Sequence, residues 1–191
     1  MHSQLVVLGG GPGGYAAAFM AADLGMEVTL VERDPRLGGT CLLRGCIPSK
    51  ALLHVSKVIS EARDLGEWGV SYEAPSVDVD TMRERKEKVI NTLSGGLKQL
   101  AKKRKVNVIQ ANGQFENSTT LRLEAVDGGS LDDTQLTYDH CVLAVGSSPT
   151  KLKAFDIGSD RVMDSTGALN LADVPKSLLV IGGGYIGLEM G

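Results

Sequence analysis

The sequence predicts an α/β protein built on a parallel sheet covered by helices. Three observations carry that prediction. The apolar run Gln4–Leu8 breaks at a glycine cluster and is followed by a helix-length apolar segment, Tyr15–Leu24. A second β-branched run, Val28–Glu32, comes directly after Gly25, giving strand, tight turn, helix, strand with little polar surface. The opening pattern then returns late in the chain, where Ser177–Ile181 leads into Gly-Gly-Gly-Tyr-Ile-Gly.

The elements follow in order. Tyr15–Leu24 is almost wholly Ala, Phe, Met and Leu, so this helix is expected to be buried on most sides. Pro35 to Pro48 is turn-rich and holds two of the three cysteines, and Ser49–Leu65 resumes an apolar spacing of helical period, with Ser49 as its cap. The two cysteines therefore sit in a loop entering a helix. Residues 81–105 hold nine basic against two acidic side chains, net +7, leaving −10 for the remainder. Met82, Val89, Ile90, Leu93, Leu97 and Leu100 form an apolar stripe there and no aromatics interleave the charges, so a solvated helix face is favoured over a nucleic-acid patch.

Val106–Ile109, Thr120–Val126 and Gln135–Tyr138 alternate apolar and polar residues around the turn Asp127-Gly128-Gly129, which predicts a small antiparallel meander on the main sheet. Cys141–Val145 reads as a buried strand, and Ser147–Leu171 as a connector. The expected organisation is 1–149 for the first nucleotide-binding domain, 150–176 for the connector and 177–191 for the start of a second. A strand with no helix and return strand to cover it reads as the N-terminal part of a longer protein.

Composition narrows the functional classes. With 191 residues and 42% hydrophobic content the chain can bury a core, and a net charge of −3 argues against a nucleic-acid-coating protein. No apolar run approaches the roughly 18 residues of a membrane span. The start, MHSQLVVLGGG, has no basic n-region, so a cytoplasmic location is expected. Three cysteines are too few for a disulfide-stapled secreted domain.

Gly9, Gly11 and Gly14 fit G-x-G-x-x-G between a strand and a helix, with Glu32 ending the next strand. Glycines there let backbone approach a pyrophosphate, the helix N-terminus stabilises its charge, and the carboxylate accepts from ribose hydroxyls. Gly182, Gly184 and Gly187 repeat the fingerprint, with Glu189 two residues beyond. Two fingerprints imply two dinucleotides.

Cys41 and Cys46 are spaced C-x-x-x-x-C, with four residues between them, in GGTCLLRGCIPSK. A zinc site needs further Cys or His at ligand spacing, and His2, His54 and His140 are isolated, so no metal is expected. A buried inert pair fits poorly with a loop so dense in glycine and polar residues. A redox dithiol remains, with the helix N-terminus stabilising a thiolate at Cys46 and Lys50 one turn further on. Cys141, in an apolar strand, reads as an inert core thiol.

Together these residues resemble the flavin-dependent pyridine nucleotide-disulfide oxidoreductases. GGGPGGYAAA, the Glu32-Arg33 pair, the cysteine segment, Asn112-Gly113, LAVGSSP, DSTGAL and VIGGGYIGLEMG fall in that family's order, and GGTCLLRGCIPSKALLH looks most like its dihydrolipoamide dehydrogenase branch. Glutathione reductase-like members usually carry another residue at Ser49, and mercuric reductases usually add an N-terminal metal-binding module. Two positions depart from the pattern: Leu43-Arg44 stands where Asn-Val is usual, which bears on substrate specificity, and Val145 replaces a usual Thr.

The resemblance implies a Rossmann-like FAD-binding domain followed by the first strand and helix of a second, NAD-binding one. By it Gly9, Gly11, Pro12, Gly13 and Gly14 would cradle the FAD pyrophosphate, and Glu32 with Arg33 would hold the adenosine ribose. Gly39, Thr40, Cys41, Gly113, Val145, Gly146 and Ser147 would line the flavin nucleotide. Cys41 would be the interchange thiol and Cys46 would face the flavin, with Lys50 near it and paired to Glu189. Gly182, Gly183, Gly184, Tyr185, Ile186, Gly187 and Glu189 would begin the NAD site.

The implied activity is oxidation of protein-bound dihydrolipoamide with reduction of NAD+, in a homodimer partnered by the lipoyl domain of a 2-oxoacid dehydrogenase complex. A glutathione or mercuric type of disulfide reductase is the alternative within the family. A non-catalytic nucleotide-binding module is the alternative outside it. The family's His–Glu general base lies in a C-terminal domain, so these 191 residues alone are not expected to be a competent enzyme.

Overall fold

A computed structural model describes residues 1–126 and 128–191. Its elements are β1 (His2–Leu8), α1 (Pro12–Asp23), β2 (Val28–Glu32), α2 (Gly39–Arg44), α3 (Cys46–Asp64), α4 (Val79–Lys103), β3 (Asn107–Gln110), β4 (Asn112–Asn117), β5 (Thr120–Glu124), β6 (Gln135–Leu143), α5 (Ser165–Leu169) and α6 (Tyr185–Met190). They fall into two compact units, Met1–Leu42 with Thr92–Ser147, and Leu43–Asn91 with Ser148–Gly191.

The first unit contains one six-stranded sheet in the order β3-β2-β1-β6-β5-β4. β3, β2, β1 and β6 run parallel, and β6, β5 and β4 antiparallel. Alternation along β1 separates two apolar layers. Leu5 and Val7 pack with Leu30, Ala18 and Ala21 on the α1 side, whereas Val6 and Leu8 pack with Val31, Leu121, Leu123 and Leu136 on the other. All five residues of β2 are buried, as a parallel strand covered on both faces requires. The small side chains Gly14, Ala18 and Ala21, at helical spacing, let α1 lie close to the sheet.

Four sequence expectations are corrected here. α1 is buried along that one stripe only, since Met20 is 63% and Leu24 76% exposed. Val106–Ile109 does not join the meander. Two residues past the end of α4, Lys105 adopts positive φ (58°), and the Val106 N–H bonds back to the Ala101 carbonyl at 3.0 Å. The chain thus reaches Asn107 from a helix and pairs parallel to β2, Thr29 opposite Asn107. The meander consists of β4, β5 and β6, with Asn117 closing the first turn by accepting from the Thr119 N–H at 2.9 Å.

Gln135–Tyr138 and Cys141–Leu143 prove to be one strand, β6, because the ladder to β1 runs through the exposed Asp139 and His140, and the strand stops short of Val145 with Leu143 exposed rather than buried. Lastly, 177–181 forms no strand. The predicted turn at Asp127-Gly128-Gly129 includes Asp127, which lies outside the described residues.

The second unit contains α3, the first half of α4, α5 and α6. Asp78 accepts from both the N–H (3.0 Å) and the hydroxyl (2.8 Å) of Thr81 at the head of α4, and these bonds hold its carboxyl below the usual range. The basic face of this helix is not wholly solvated: Lys86 is buried and donates to the Leu169 carbonyl at 2.7 Å. The stretch 147–171 carries α5, capped by Asp164, whose side chain accepts from the Gly167 N–H at 3.0 Å. No helix among the described residues is long and apolar enough to cross a membrane.

Candidate functional site

β1 stops at Leu8 and the chain turns sharply into α1. Gly9 adopts φ 106°, and a Cβ there would lie 2.7 Å from the Ala144 carbonyl carbon. A Cβ on Gly14 would overlap the Gly9 carbonyl oxygen. One on Gly10 would come within 2.8 Å of Leu37 and 2.9 Å of a Glu32 carboxylate oxygen. Gly9 and Gly14 must be glycine for the turn to close, whereas at Gly10 the near atoms belong to side chains that would have to shift. The Gly9 N–H donates to the Val31 carbonyl and the Ala144 N–H to the Leu8 carbonyl, both at 2.8 Å, which knits the loop into β2 and the end of β6.

Gly11 and Gly13 differ. The nearest atoms to a Cβ would be 3.7 Å and 3.9 Å away, ordinary contact distances, so the protein's own packing does not demand glycine at either. The backbone at the head of α1 is therefore open to another molecule. Pro12 at the first helical position presets the helix, whose first N–H groups have no partner within it.

Glu32 ends β2 directly beneath this loop. It is 8% exposed, and its carboxylate accepts from the Gly10 N–H at 2.5 Å and the Asp34 N–H at 2.8 Å. Arg33 is exposed and its carbonyl accepts from Gln110 at 3.4 Å. Gly39 closes in from the other side: a Cβ there would lie 2.5 Å from the Gly11 Cα, and the Gly38 N–H donates to the Gly10 carbonyl at 2.9 Å. Val145, Gly146 and Ser147 follow β6 and are exposed, whereas Gly113 in β4 lacks a side chain because Leu8 would lie 2.7 Å from its Cβ. Gly9, Glu32 and Val145 thus gather at the carboxyl ends of β1, β2 and β6, where the strand order switches, with β2 and β3 on one side of β1 and the later strands on the other. Open α/β sheets bind ligands at such a switch point.

The cysteine segment is helical rather than a loop. Thr40 and Cys41 belong to α2, and the exposed Cys46 opens α3 behind Gly45 as N-cap. Ser49 is therefore not the cap. Its N–H already bonds to the Gly45 carbonyl at 3.0 Å, so it lies inside the first turn. Lys50, one turn after Cys46, pairs with Glu189 of α6. The Ser49 hydroxyl donates to the other oxygen of the same carboxylate at 2.7 Å. The Glu189 hydrogen bond raises the Lys50 pKa above its usual 10.5, and bonds from Lys50 and Ser49 lower that of Glu189 below 4.5. The link from Ser49 has no local signal, because 140 residues separate the partners.

The second glycine loop repeats the first in its backbone. Gly182 has φ 113°, and a Cβ on Gly187 would overlap the Gly182 carbonyl oxygen, as Gly14 would that of Gly9. Gly184 caps α6 at φ −72°, ψ 169°, against −76°, −175° for Gly11 at α1. A Cβ on Gly183 or Gly184 would meet nothing within 4 Å, and Tyr185 and Ile186 are exposed. Cys141 is half-buried on β6, and burial pushes its thiol up. Among the described residues no group of three His, Cys, Asp or Glu could hold a metal ion.

Compared with known proteins, residues 3–191 match the pyridine nucleotide-disulphide oxidoreductase family. The chain belongs to that family. It is 50% identical over 190 residues to a dihydrolipoyl dehydrogenase of Vibrio cholerae, and 49% over 191 to one of Haemophilus influenzae. Both alignments cover 100% of this chain and 39% of the relative, so the chain spans about two fifths of the length of these relatives. Among solved structures, it is similar to an HOCl-induced flavoprotein disulfide reductase from Escherichia coli, a cysteine-to-serine mutant of RclA in complex with Cu(II). The TM-score is 0.80 at 29% identity, covering 98% of this chain and 38% of that one.

The contrast between the glycines is directly measurable. Gly11→Ala should cost less than about 1 kcal/mol, since its φ and surroundings accept a methyl. Gly14→Ala should cost about 1–3 kcal/mol through overpacking. Urea unfolding midpoints of the two variants check this.

The ion pair sets a pH dependence. Glu189 contributes stability above pH 4.5 that is lost as pH falls through its lowered folded value. Lys50 contributes below pH 10.5, and loses that as pH rises through its raised one. Glu189→Gln should therefore lower the melting temperature slightly around neutral pH, and the difference should vanish in acid, as thermal melts across pH will show.

Proposed function

We propose that this chain carries the FAD-binding and dithiol portion of a dihydrolipoamide dehydrogenase, which oxidises protein-bound dihydrolipoamide and reduces NAD+. The observation that carries the proposal is the first glycine loop. Its closure requires Gly9 and Gly14, while Gly11 and Gly13 are left free of close internal contacts at a helix N-terminus. Unpaired backbone N–H groups at a helix N-terminus are the donors a pyrophosphate takes, and the residues present fit FAD. Glu32 supports the same reading, because each of its oxygens keeps acceptor capacity beyond the single backbone N–H it receives. FAD, when bound, supplies the two-electron carrier that thiols need to reduce a nicotinamide.

In this proposal Gly39, Thr40, Gly113, Val145, Gly146 and Ser147 line the flavin nucleotide, and Gly182–Gly187 with Tyr185 and Ile186 begin the NAD site. The repeated loop geometry at Gly182, Gly184 and Gly187 supports the second assignment. Cys41 and Cys46 form the redox disulfide. A substrate thiolate attacks the Cys41 sulfur, forming a mixed disulfide as the Cys41–Cys46 bond breaks and Cys46 leaves as thiolate. The second substrate thiolate then attacks the substrate sulfur, releasing Cys41 and the cyclic disulfide. Cys46 stands at the first position of α3, with the Lys50 ammonium one turn on. Lys50, held by Glu189, keeps that positive charge beside Cys46.

The partner in this proposal is the lipoyl domain of a 2-oxoacid dehydrogenase complex, and the holoenzyme is a cytoplasmic homodimer. The dihydrolipoyl dehydrogenase relatives favour this substrate over glutathione disulfide or Hg(II).

In the holoenzyme, dihydrolipoamide should drive NADH formation, and Cys41→Ser or Cys46→Ser should abolish it while leaving the flavin bound. Steady-state assays with dihydrolipoamide, glutathione disulfide and Hg(II) check this. Preference for either of the latter two would replace the proposal with a reductase of that type.

A further inference from the structure

We propose that Ser49 is a positioning residue, whose hydroxyl fixes the Glu189 carboxylate so that this carboxylate in turn fixes the Lys50 ammonium beside Cys46. The inference rests on the reading above for the roles of Cys46 and Lys50, and adds a residue to that site.

Its basis is geometric. A serine within a helix ordinarily turns its hydroxyl back to a carbonyl of the preceding turn or out to water. Ser49 is 3% exposed, yet its hydroxyl donates to Glu189 Oε2 at 2.7 Å, a charge-assisted bond. Glu189 Oε1 accepts from Lys50. Consecutive residues of α3 therefore hold one carboxylate, one donor to each oxygen.

Lysine alone is a poor anchor. Its ammonium is a point charge on four rotatable carbons, and the Lys50 side chain is 58% exposed. The Ser49 hydroxyl sits on a one-carbon stem in a buried setting, so it has little freedom to leave the carboxylate. Ser49 thus sets the orientation of Glu189, and Lys50 is oriented by it in turn. Glu189 lies five residues beyond the Gly184 cap, so the same clamp ties the helix of the second glycine loop to the head of the helix that carries Cys46.

The test tracks the titration of Glu189 and Lys50 by NMR in the chain with carbon-13-labelled glutamate and lysine. In Ser49→Ala the Glu189 midpoint should move upward, because its charged form loses a donor, and the Lys50 midpoint should move downward. Ser49→Thr, which keeps the hydroxyl, should restore both. Unchanged midpoints in a folded Ser49→Ala, or a Thr variant that behaves like Ala, would overturn the proposal.

In the unsubstituted chain the Ser49 hydroxyl proton should exchange slowly with water and correlate with Glu189, so the test does not depend on any variant folding. A fast-exchanging hydroxyl would count against the proposal. None of these readouts needs flavin or a thiol substrate, so failure of the dehydrogenase reading and failure of the Ser49 role are distinguishable.

Discussion

The close approach of Gly9 to Ala144 and Gly14 is the constraint on which the first unit depends. It joins the end of β1 to the start of α1 and to the residue after β6, and leaves no room for a Cβ at either glycine. With the turn closed, α1 settles on the sheet through Gly14, Ala18 and Ala21, and its N-terminus meets the carboxyl ends of the central strands. Glu32 completes the arrangement from below by taking the Gly10 N–H. Gly9 and Gly14 close the turn while Gly11 and Gly13 stand where nothing internal requires glycine, and that contrast is what the proposed cofactor site rests on.

The second unit reuses the device with a different attachment. The loop at Gly182–Gly187 repeats the dihedrals and the carbonyl contact of the first, although 177–181 forms no strand. Past the turn the attachment is electrostatic: Glu189 on the short α6 receives Ser49 and Lys50 from α3, in the same turn that opens with Cys46. The glycine loop, the carboxylate, the ammonium and the thiol form one chain of neighbours. The chemistry proposed for Cys46 has a charged support that is already assembled.

Much of this is legible in the sequence wherever the information is local. β1, the glycine turn, α1 and β2 can be read from Gln4 to Glu32 because strand period, glycine spacing and the closing acid all lie within thirty residues. The parallel pairing of β3 cannot, since the alternation in Val106–Ile109 is the same whether a hairpin or a helix delivers the strand, and Lys105 at positive φ gives no sequence warning. β6 reads as two strands because Asp139 and His140 break the apolar pattern without breaking the ladder. The turn-rich composition around Cys41 and Cys46 conceals two helices whose glycines, 39 and 45, serve their starts. Ser49 reads as a cap by residue type, whereas its partner lies 140 residues away.

The central claim is that the backbone at Gly11 and Gly13 is kept open for a flavin dinucleotide. Titrating FAD into the purified chain, with visible absorbance read after gel filtration, tests it most directly. The account predicts flavin bands that remain with the protein at one equivalent per chain. A colourless protein at saturating FAD would contradict it.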